Sequence, residues 1–243
     1  MVNSNSISIA RQRIRESRRL AVITGAGVSA ESGIPTFRGP GGLWRNFRAE
    51  ELATPEAFKR DPKLVWEWYD WRRGICKQAQ PNPGHLSLAK IETTATEFLL
   101  ITQNVDGLHK RAGSKRIAEI HGNIWRARCT LCGNEFDLEE TPLLEIPPRC
   151  KCKGIARPDI VWFGETYDQD LLEDILDFLS GTDTLITVGT SGMVPMPVYL
   201  TRHAMSHGAF AIDLNPDESE LSGIVNLSLR GKAGEILPNL TEI

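Results

Sequence analysis

Short apolar runs recur along this chain and alternate with stretches of helical periodicity. Five runs have the length and composition of buried strands: 20–24, 97–102, 159–163, 184–188 and 209–214. Helices are predicted at 83–93, 168–180 and 196–207, with a first helix over 10–19 and a closing helix over 231–240. Continuous apolar strands that alternate with helices are typical of a parallel sheet covered on both faces. The pattern therefore predicts an α/β fold.

Two segments interrupt this alternation. Residues 40–80 are rich in tryptophan and charge and are predicted to be helical, whereas residues 124–155 carry four of the five cysteines. We therefore predict a sheet domain with a helical insertion and a small cysteine-rich module. The predicted boundaries are 1–39, 81–123 and 156–243 for the sheet domain, 40–80 for the insertion and 124–155 for the module.

The composition is that of an ordinary globular protein, with 41% hydrophobic and 24% charged residues. A net charge of −3 gives no basic excess that would indicate nucleic acid as a partner. No apolar run approaches the ~20 residues of a membrane helix. The N-terminal segment is rich in Arg and Ser but lacks the apolar core of a secretory signal. We interpret it as a helix leading into a buried strand rather than as a mitochondrial presequence, and we expect a cytoplasmic protein.

A glycine-rich turn follows the first predicted strand. Gly25, Gly27 and Ala30 have the G-x-G-x-x-A spacing that permits a tight turn and brings backbone N–H groups close to a pyrophosphate. A plain strand-to-helix turn would explain the two glycines equally well. No strand ending in Asp or Glu follows about 20 residues later to hold a ribose. The turn therefore indicates a nucleotide loop in unusual surroundings rather than an ordinary dehydrogenase.

Four cysteines form two local pairs, Cys129-x2-Cys132 and Cys150-x-Cys152. Two pairs of thiolates suit tetrahedral zinc, and a closed site of four sulfur ligands predicts one structural ion. The second pair is one residue tighter than the common C-x2-C, so the spacing specifies its ligands less sharply than those of the first pair. Residues 126–155 contain as many acidic as basic residues, so a nucleic-acid finger is disfavoured.

Polar residues follow the second predicted strand. Gln103, Asn104 and Asp106 are expected at the carboxyl edge of the sheet, where open α/β proteins bind ligands. His121 lies beside a glycine just before the cysteine module. A single histidine is more often structural than catalytic, and we interpret His85 and His109 in that way.

Seven blocks of the chain, in order and with near-family spacing, resemble the sirtuins, which are NAD-dependent protein lysine deacylases. The blocks are "GAGVSAESGIPTFRG", "TQNVDGLHKRAG", "HG", the four cysteines, "IVWFGE", "GTSG" and "GKAGEILP". The resemblance implies a Rossmann-like domain with a small zinc module, and a cleft between them for NAD and an acylated-lysine protein. The charge balance and the lack of a long apolar run predict no nucleic-acid or membrane partner.

The resemblance also implies roles for individual residues. The family transfers the acyl group to NAD and releases nicotinamide and O-acyl-ADP-ribose. His121 would be the general base that acts through the ribose hydroxyls, and Asp106 would hold the nicotinamide carboxamide. The remaining expected NAD contacts are Gly25, Ala26, Gly27, Phe37, Arg38, Gln103, Asn104, Gly189, Thr190, Ser191, Asn215 and Ala233. Val161 and Phe163 would contact the substrate peptide and acyl-lysine, although simple sheet core explains either residue equally well.

The stretch "WYDWRR" places Tyr69 and Arg72 on one helical face. With Thr36, this pair resembles the class III sirtuins, which remove succinyl, malonyl or glutaryl groups. A guanidinium can pair with the acyl carboxylate while a phenol donates a further hydrogen bond, and such charge-assisted bonds contribute about 1.5–3 kcal/mol each. The alternative interpretation is an exposed helix face on which Arg73 is equivalent to Arg72.

Three other functions remain open from the sequence. The chain would be an ordinary NAD-dependent deacetylase if only the acyl pocket differed, or an ADP-ribosyltransferase if it transferred ADP-ribose to protein. A non-enzymatic protein that binds NAD or ADP-ribose through the same cleft is the third possibility. The retention of Asn104, Asp106 and His121 favours an enzyme.

Overall fold

Eleven strands and ten helices are defined in this computed structural model, which describes residues 4–36, 43–44 and 47–241. The strands are β1 (Arg19–Thr24), β2 (Leu43–Trp44), β3 (Phe47–Arg48), β4 (Glu97–Thr102), β5 (Ile117–Glu119), β6 (Gly122–Cys129), β7 (Glu135–Asp137), β8 (Ala156–Ile160), β9 (Thr184–Val188), β10 (Phe210–Asn215) and β11 (Leu227–Arg230). The helices are α1 (Ser4–Glu16), α2 (Ala26–Ala30), α3 (Ala49–Leu52), α4 (Pro55–Arg60), α5 (Pro62–Gln78), α6 (Pro83–Thr94), α7 (Leu108–Ala112), α8 (Gln169–Ser180), α9 (Pro195–Ser206) and α10 (Ala233–Leu240).

Six strands form a parallel sheet in the order β11-β10-β9-β1-β4-β5. The chain first builds outward from β1 to β5 and then returns to place β9 on the other side of β1. In the register of β1, Thr24 lies opposite both Thr102 and Val188, so the carboxyl ends of β1, β4 and β9 meet at one edge. The strand order reverses at β1, and ligands of open α/β sheets bind at this switch point.

Both faces of the parallel sheet are covered by helices, as the apolar runs predict. In β1, Leu20 and Val22 pack into a cluster with α1, α6 and α10, whereas Ala21 and Ile23 pack into a cluster with α8 and α9. A strand buried on both faces has no polar side and therefore reads as a continuous apolar run.

A smaller antiparallel sheet has the order β7-β6-β8 and carries the cysteines. The prediction that 159–163 is a strand of the parallel sheet is wrong. The strand there is β8, which pairs antiparallel with β6 and ends at Ile160. Its apolar character comes from a third cluster, in which Ile160 and Trp162 pack against α4 and α5. The predicted domain boundaries stay a prediction.

Two strands of the parallel sheet are absent from the predicted set. β5 and β11 are the outer strands of the sheet. They are only three and four residues long, and each includes polar side chains. An edge strand pairs on one side and is partly exposed, so it lacks the apolar run that marks the central strands. None of the helices among the described residues is long and apolar enough to cross a membrane.

Candidate active site

The glycine-rich turn packs directly on the loop that follows β9. The Gly25 amide donates to the Val188 carbonyl at 3.0 Å, and the Gly27 amide donates to the Gly189 carbonyl at 2.9 Å. A Cβ on either Gly25 or Gly27 would lie within 2.8 Å of the Gly189 oxygen. Gly25 has an extended backbone (φ −124°, ψ −175°) rather than a left-handed one. The glycines are therefore required for close approach of two loops, and Ala26 is left as the first residue of α2.

Asn104 and Asp106 share a buried hydrogen-bond network with Ser29 on α2. The Ser29 hydroxyl donates to the Asp106 carboxylate at 2.7 Å. The side-chain amide of Asn104 donates to Ser29 Oγ at 3.1 Å and to the Gly25 carbonyl at 3.0 Å. Burial raises the pKa of Asp106, and the bonds from Ser29 and the Leu108 amide oppose that rise. The network fixes two predicted NAD contacts against the glycine-rich turn.

Gln103, Thr190 and Asn215 connect the ends of β4, β9 and β10. The Gln103 side chain donates to Thr190 Oγ1 at 3.1 Å, and the Asn215 side chain donates to the Thr190 carbonyl at 2.7 Å. Ser191 follows on the same loop and is exposed. These polar groups lie together at the carboxyl edge of the sheet, where open α/β proteins bind ligands.

Ala233 begins α10 and is buried, at 4% exposure. The next residue, Gly234, donates its amide to the Glu31 carboxylate at 3.0 Å, which places the start of α10 beside the end of α2. Phe37 and Arg38, the two other expected NAD contacts, lie outside the described residues.

His121 lies between the sheet edge and the loop that follows β8. Its Nδ1 is 3.0 Å from the Gln103 carbonyl, and because a carbonyl only accepts, Nδ1 carries the proton and Nε2 is the acceptor. The ring stacks on Tyr167 with centroids 5.8 Å apart. Burial lowers the pKa of His121, and the bond to Gln103 only partly opposes this. The side chain is therefore neutral near pH 7, as a general base must be.

His85 and His109 form a buried pair beneath the same turn, with ring centroids 4.8 Å apart. His109 Nε2 bonds Thr24 Oγ1 at 2.9 Å, and the backbone N–H of Asn82 donates to His85 Nδ1 at 3.3 Å. Burial lowers the pKa of His85 to about 4 and that of His109 to about 3. Both are uncharged at neutral pH, which agrees with the structural role predicted for them.

The residues of "WYDWRR" point in different directions on α5. Tyr69 is fully buried, and Arg72 lies over the rings of Trp68 and Tyr69, with its guanidinium carbon 5.0 and 5.9 Å from their centroids. Tyr69 shares an apolar cluster with Val105, the residue between Asn104 and Asp106. The charge of Arg72 lowers the pKa of Asp106 against the larger effect of burial. The acyl-pocket candidates therefore lie beside the predicted nicotinamide contacts.

Arg73 is not equivalent to Arg72. It is fully buried and donates to the backbone carbonyls of Leu138 and, at 2.7 Å, Glu140. Asp70 accepts from the Leu143 amide at 3.2 Å with both carboxylate oxygens. These two residues anchor α5 to the cysteine module, and the interpretation of this stretch as an exposed helix face is wrong for Tyr69 and Arg73.

Val161 and Phe163 lie in the loop after β8, on either side of Trp162. The Val161 amide donates to the His121 carbonyl and the Phe163 amide to the Ala53 carbonyl, both at 3.0 Å. Phe163 is 45% exposed, whereas Trp162 is 3% exposed. The backbone N–H groups of both residues are thus already bonded within the protein. A bound peptide would have to pair with other backbone groups of this loop.

The four predicted metal ligands converge at the tip of the small sheet. Cys129 Sγ lies 3.4 Å from Cys152 Sγ, Cys132 Sγ lies 3.8 Å from Cys150 Sγ, and all four atoms are within 4.8 Å of one another. Tetrahedral zinc with bonds of about 2.3 Å requires sulfur atoms about 3.8 Å apart. A Cβ on Gly154 would approach Cys129 Sγ to 2.9 Å, so this glycine keeps the sulfur cage open. The tight second pair, Cys150 and Cys152, fits the cage as well as the first.

The sequence model of the Sir2 family matches residues 25–196, a span that includes the glycine-rich turn, His121 and all four cysteines. The chain belongs to the Sir2 family.

Individual relatives agree with this assignment over almost the whole sirtuin chain. An NAD-dependent protein deacylase of Leptospira interrogans (serovar copenhageni, strain Fiocruz L1-130) is 53% identical over 228 residues, 92% of either chain. The crystal structure of a Sir2 homolog–NAD complex superposes with a TM-score of 0.91 at 45% identity, covering 96% of this chain and 92% of the other. A mutant Sir2 homologue in complex with 2′-O-acetyl ADP ribose gives a TM-score of 0.91 at 44% identity, with 98% and 95% coverage.

These findings confirm the identification as a sirtuin, the Rossmann-like fold, NAD as the co-substrate and a cysteine cluster suited to one zinc ion. The roles of the individual site residues stay predictions. Sequence reasoning missed Ser29, which holds Asn104 and Asp106, and Trp162, which bonds Tyr69. A small hydroxyl in a turn and an aromatic residue in an apolar run give no signal of such contacts.

We expect the purified sirtuin to contain about one equivalent of zinc and Cys150→Ser to lose most of it. Four converging thiolates make a closed site, removing one leaves an incomplete tetrahedron, and structural zinc sites contribute folding free energy. Elemental analysis and a thermal melt measure both effects. Cys76→Ser is the matched control, because Cys76 is a buried thiol outside the cluster. A protein that keeps its fold without metal would contradict a structural role for zinc.

Proposed function

We propose that this sirtuin is an NAD-dependent protein lysine deacylase that prefers acyl groups ending in a carboxylate, such as succinyl and malonyl. Family membership and the closely similar deacylases support the general activity. The preference is the finer step, and one observation carries it: a buried phenol and a guanidinium, Tyr69 and Arg72, lie together on α5 beside Asp106 and Trp162.

The location of this pair favours a role in the acyl pocket. Tyr69 shares an apolar cluster with Val105, which is flanked by predicted NAD contacts, and with Trp162, which is flanked by predicted substrate contacts. Burial raises the pKa of Tyr69 to about 12, although Arg72 opposes the rise. The phenol is therefore protonated throughout the working range and is able to donate a hydrogen bond.

The chemistry of the pair suits an anionic chain end. Arg72 supplies a planar fork of donors, which matches a carboxylate, and Tyr69 supplies a neutral donor that adds a further bond. A methyl end, as in an acetyl or butyryl group, offers no acceptor to either residue. Charge-assisted bonds contribute about 1.5–3 kcal/mol each, which corresponds to roughly 10- to 150-fold in transition-state binding.

The remaining site residues are assigned to transfer of the acyl group. Asn104 and Asp106, fixed by Ser29, would orient the nicotinamide half of NAD. His121 Nε2 would accept a proton from the ribose hydroxyls. The hydrogen bond from Nδ1 to the Gln103 carbonyl keeps the ring proton on Nδ1, so that Nε2 is unprotonated, and it fixes the orientation of the ring. Tyr167 stacks against one face of the His121 ring.

The test compares one peptide carrying succinyl-, malonyl-, butyryl- or acetyl-lysine, with nicotinamide release and peptide mass as readouts. We expect kcat/KM for succinyl to exceed that for butyryl by roughly 10-fold or more, the worth of one charge-assisted bond. Butyryl is the matched control, because it has the same number of carbons and a methyl in place of the carboxylate.

Each competing function gives a different result in this assay. Equal or higher activity on acetyl-lysine would make this sirtuin an ordinary deacetylase. Transfer of ADP-ribose to the peptide or to a protein acceptor would make it an ADP-ribosyltransferase. A protein that binds NAD but releases no nicotinamide with any of the four peptides would be a non-enzymatic binding module.

A further inference from the structure

A hydrogen bond joins the loop after β8 to α5. Trp162 Nε1 donates to Tyr69 Oη at 2.8 Å, and both side chains are buried, at 3% and 0% exposure. We propose that Trp162 is a positioning residue that sets acyl specificity by fixing the direction in which the Tyr69 hydroxyl donates. This inference rests on the proposed preference for acidic acyl groups and adds a residue to it.

The inference follows from counting donors and acceptors. An indole N–H can only donate, so the phenol oxygen must accept the bond from Trp162. The hydroxyl proton of Tyr69 therefore cannot point at Trp162 and has to be directed at another acceptor. A phenol held in this way presents a donor to its surroundings, and it matches a carboxylate better than a ligand end that must itself donate.

Trp162 is fixed firmly enough to impose this orientation. Its backbone amide donates to Glu165 Oε2 at 2.9 Å, and Arg157 binds both oxygens of the same carboxylate at 2.6 and 2.8 Å. The Arg157 guanidinium lies over the Trp162 ring, 3.5 Å from its centroid, and the Phe58 ring packs against it at 5.4 Å. The indole therefore has little freedom to turn away from Tyr69.

The same loop reaches the candidate base. The Val161 amide, next to Trp162, donates to the His121 carbonyl at 3.0 Å. Two consecutive residues, Val161 and Trp162, thus bond His121, which is assigned to proton transfer, and Tyr69, which is assigned to acyl selection. Removing the indole N–H while keeping an aromatic side chain should affect selection without moving this backbone bond.

The test is a double-mutant cycle of Trp162→Phe and Tyr69→Phe, with kcat/KM on succinyl- and acetyl-lysine peptides. We expect Trp162→Phe to lower the succinyl-to-acetyl ratio about 5- to 10-fold, chiefly by raising KM for succinyl, with little change on acetyl. Because Trp162 acts through Tyr69, adding Trp162→Phe to Tyr69→Phe should change the ratio no further. If Trp162 had a merely structural role, the substitution would lower kcat/KM for both substrates together.

The outcomes separate this inference from the proposed function. A wild-type protein with no succinyl preference overturns the proposed function, and this inference with it. A wild-type preference that survives Trp162→Phe, or effects that add in the double mutant, overturns the positioning role alone. If Trp162→Phe fails to fold, the indole proton of Trp162 in ¹⁵N-tryptophan-labelled protein is the second measurement. It should shift in Tyr69→Phe, and an unchanged resonance would refute the bond.

Discussion

Arg72→Met is expected to remove the preference for succinyl-lysine, lowering kcat/KM for that substrate roughly 100-fold and changing acetyl-lysine turnover only a few-fold. Two charge-assisted bonds from a guanidinium fork account for this size, at about 1.5 kcal/mol or more each. Methionine keeps an unbranched apolar stem against Trp68 and Tyr69, so the packing of α5 is largely preserved. Steady-state kinetics on the two acyl peptides measure the ratio.

Two controls make the Arg72 result specific. Arg60→Met removes an exposed arginine at the end of α4 and should leave both activities unchanged. Thermal melting of Arg72→Met should match wild type, because the anchoring of α5 to the cysteine module is made by Asp70 and Arg73 instead. An Arg72→Met protein that still prefers succinyl would show that the carboxylate is recognised elsewhere.

His121→Ala is expected to lose turnover by about 10²–10⁴-fold while keeping its fold and its affinity for NAD. General-base catalysis by a positioned side chain is worth this much, and the NAD contacts predicted for Asn104 and Gly25 are kept in the variant. Single-turnover kinetics measure the chemical step, and calorimetry measures NAD binding. His207→Ala, an exposed histidine at the end of α9, is the matched control.

The pH profile supplies a second readout for His121. Burial lowers the pKa of this side chain, so the neutral, active form persists below the ordinary histidine value of about 6.5. We expect kcat of the wild type to stay level as the pH falls to that value and to decline only at lower pH. A His121→Ala protein with wild-type turnover, or a profile that already falls between pH 8 and 7, would contradict the assignment.

The fold was largely predictable because its central strands are buried on both faces. Such strands are apolar at most positions, so β1, β4 and β9 stand out within an otherwise mixed sequence. The segment 159–163 has the same composition for a different reason. It is buried by α4 and α5 outside the parallel sheet, and composition cannot distinguish which neighbour supplies the burial.

The candidate site was predictable where chemistry restricts the residue type. Thiolates for zinc, glycines at a close approach and polar residues after a strand each require particular side chains at particular spacings. The structure adds a second reason for the glycines. Gly25 and Gly27 are needed because the Gly189 backbone passes against them, a contact between residues more than 160 positions apart.

The sequence by itself determined the family, the parallel sheet, the zinc ligands and the candidates Tyr69 and Arg72, because local spacing and residue chemistry carry that information. Only the tertiary structure decided how the six residues of "WYDWRR" divide their roles. A helix turns about 100° per residue, so adjacent arginines face different neighbours. Arg73 bonds the cysteine module, Arg72 lies over Trp68 and Tyr69, and the Tyr69 hydroxyl oxygen accepts a hydrogen bond from a tryptophan 93 positions away.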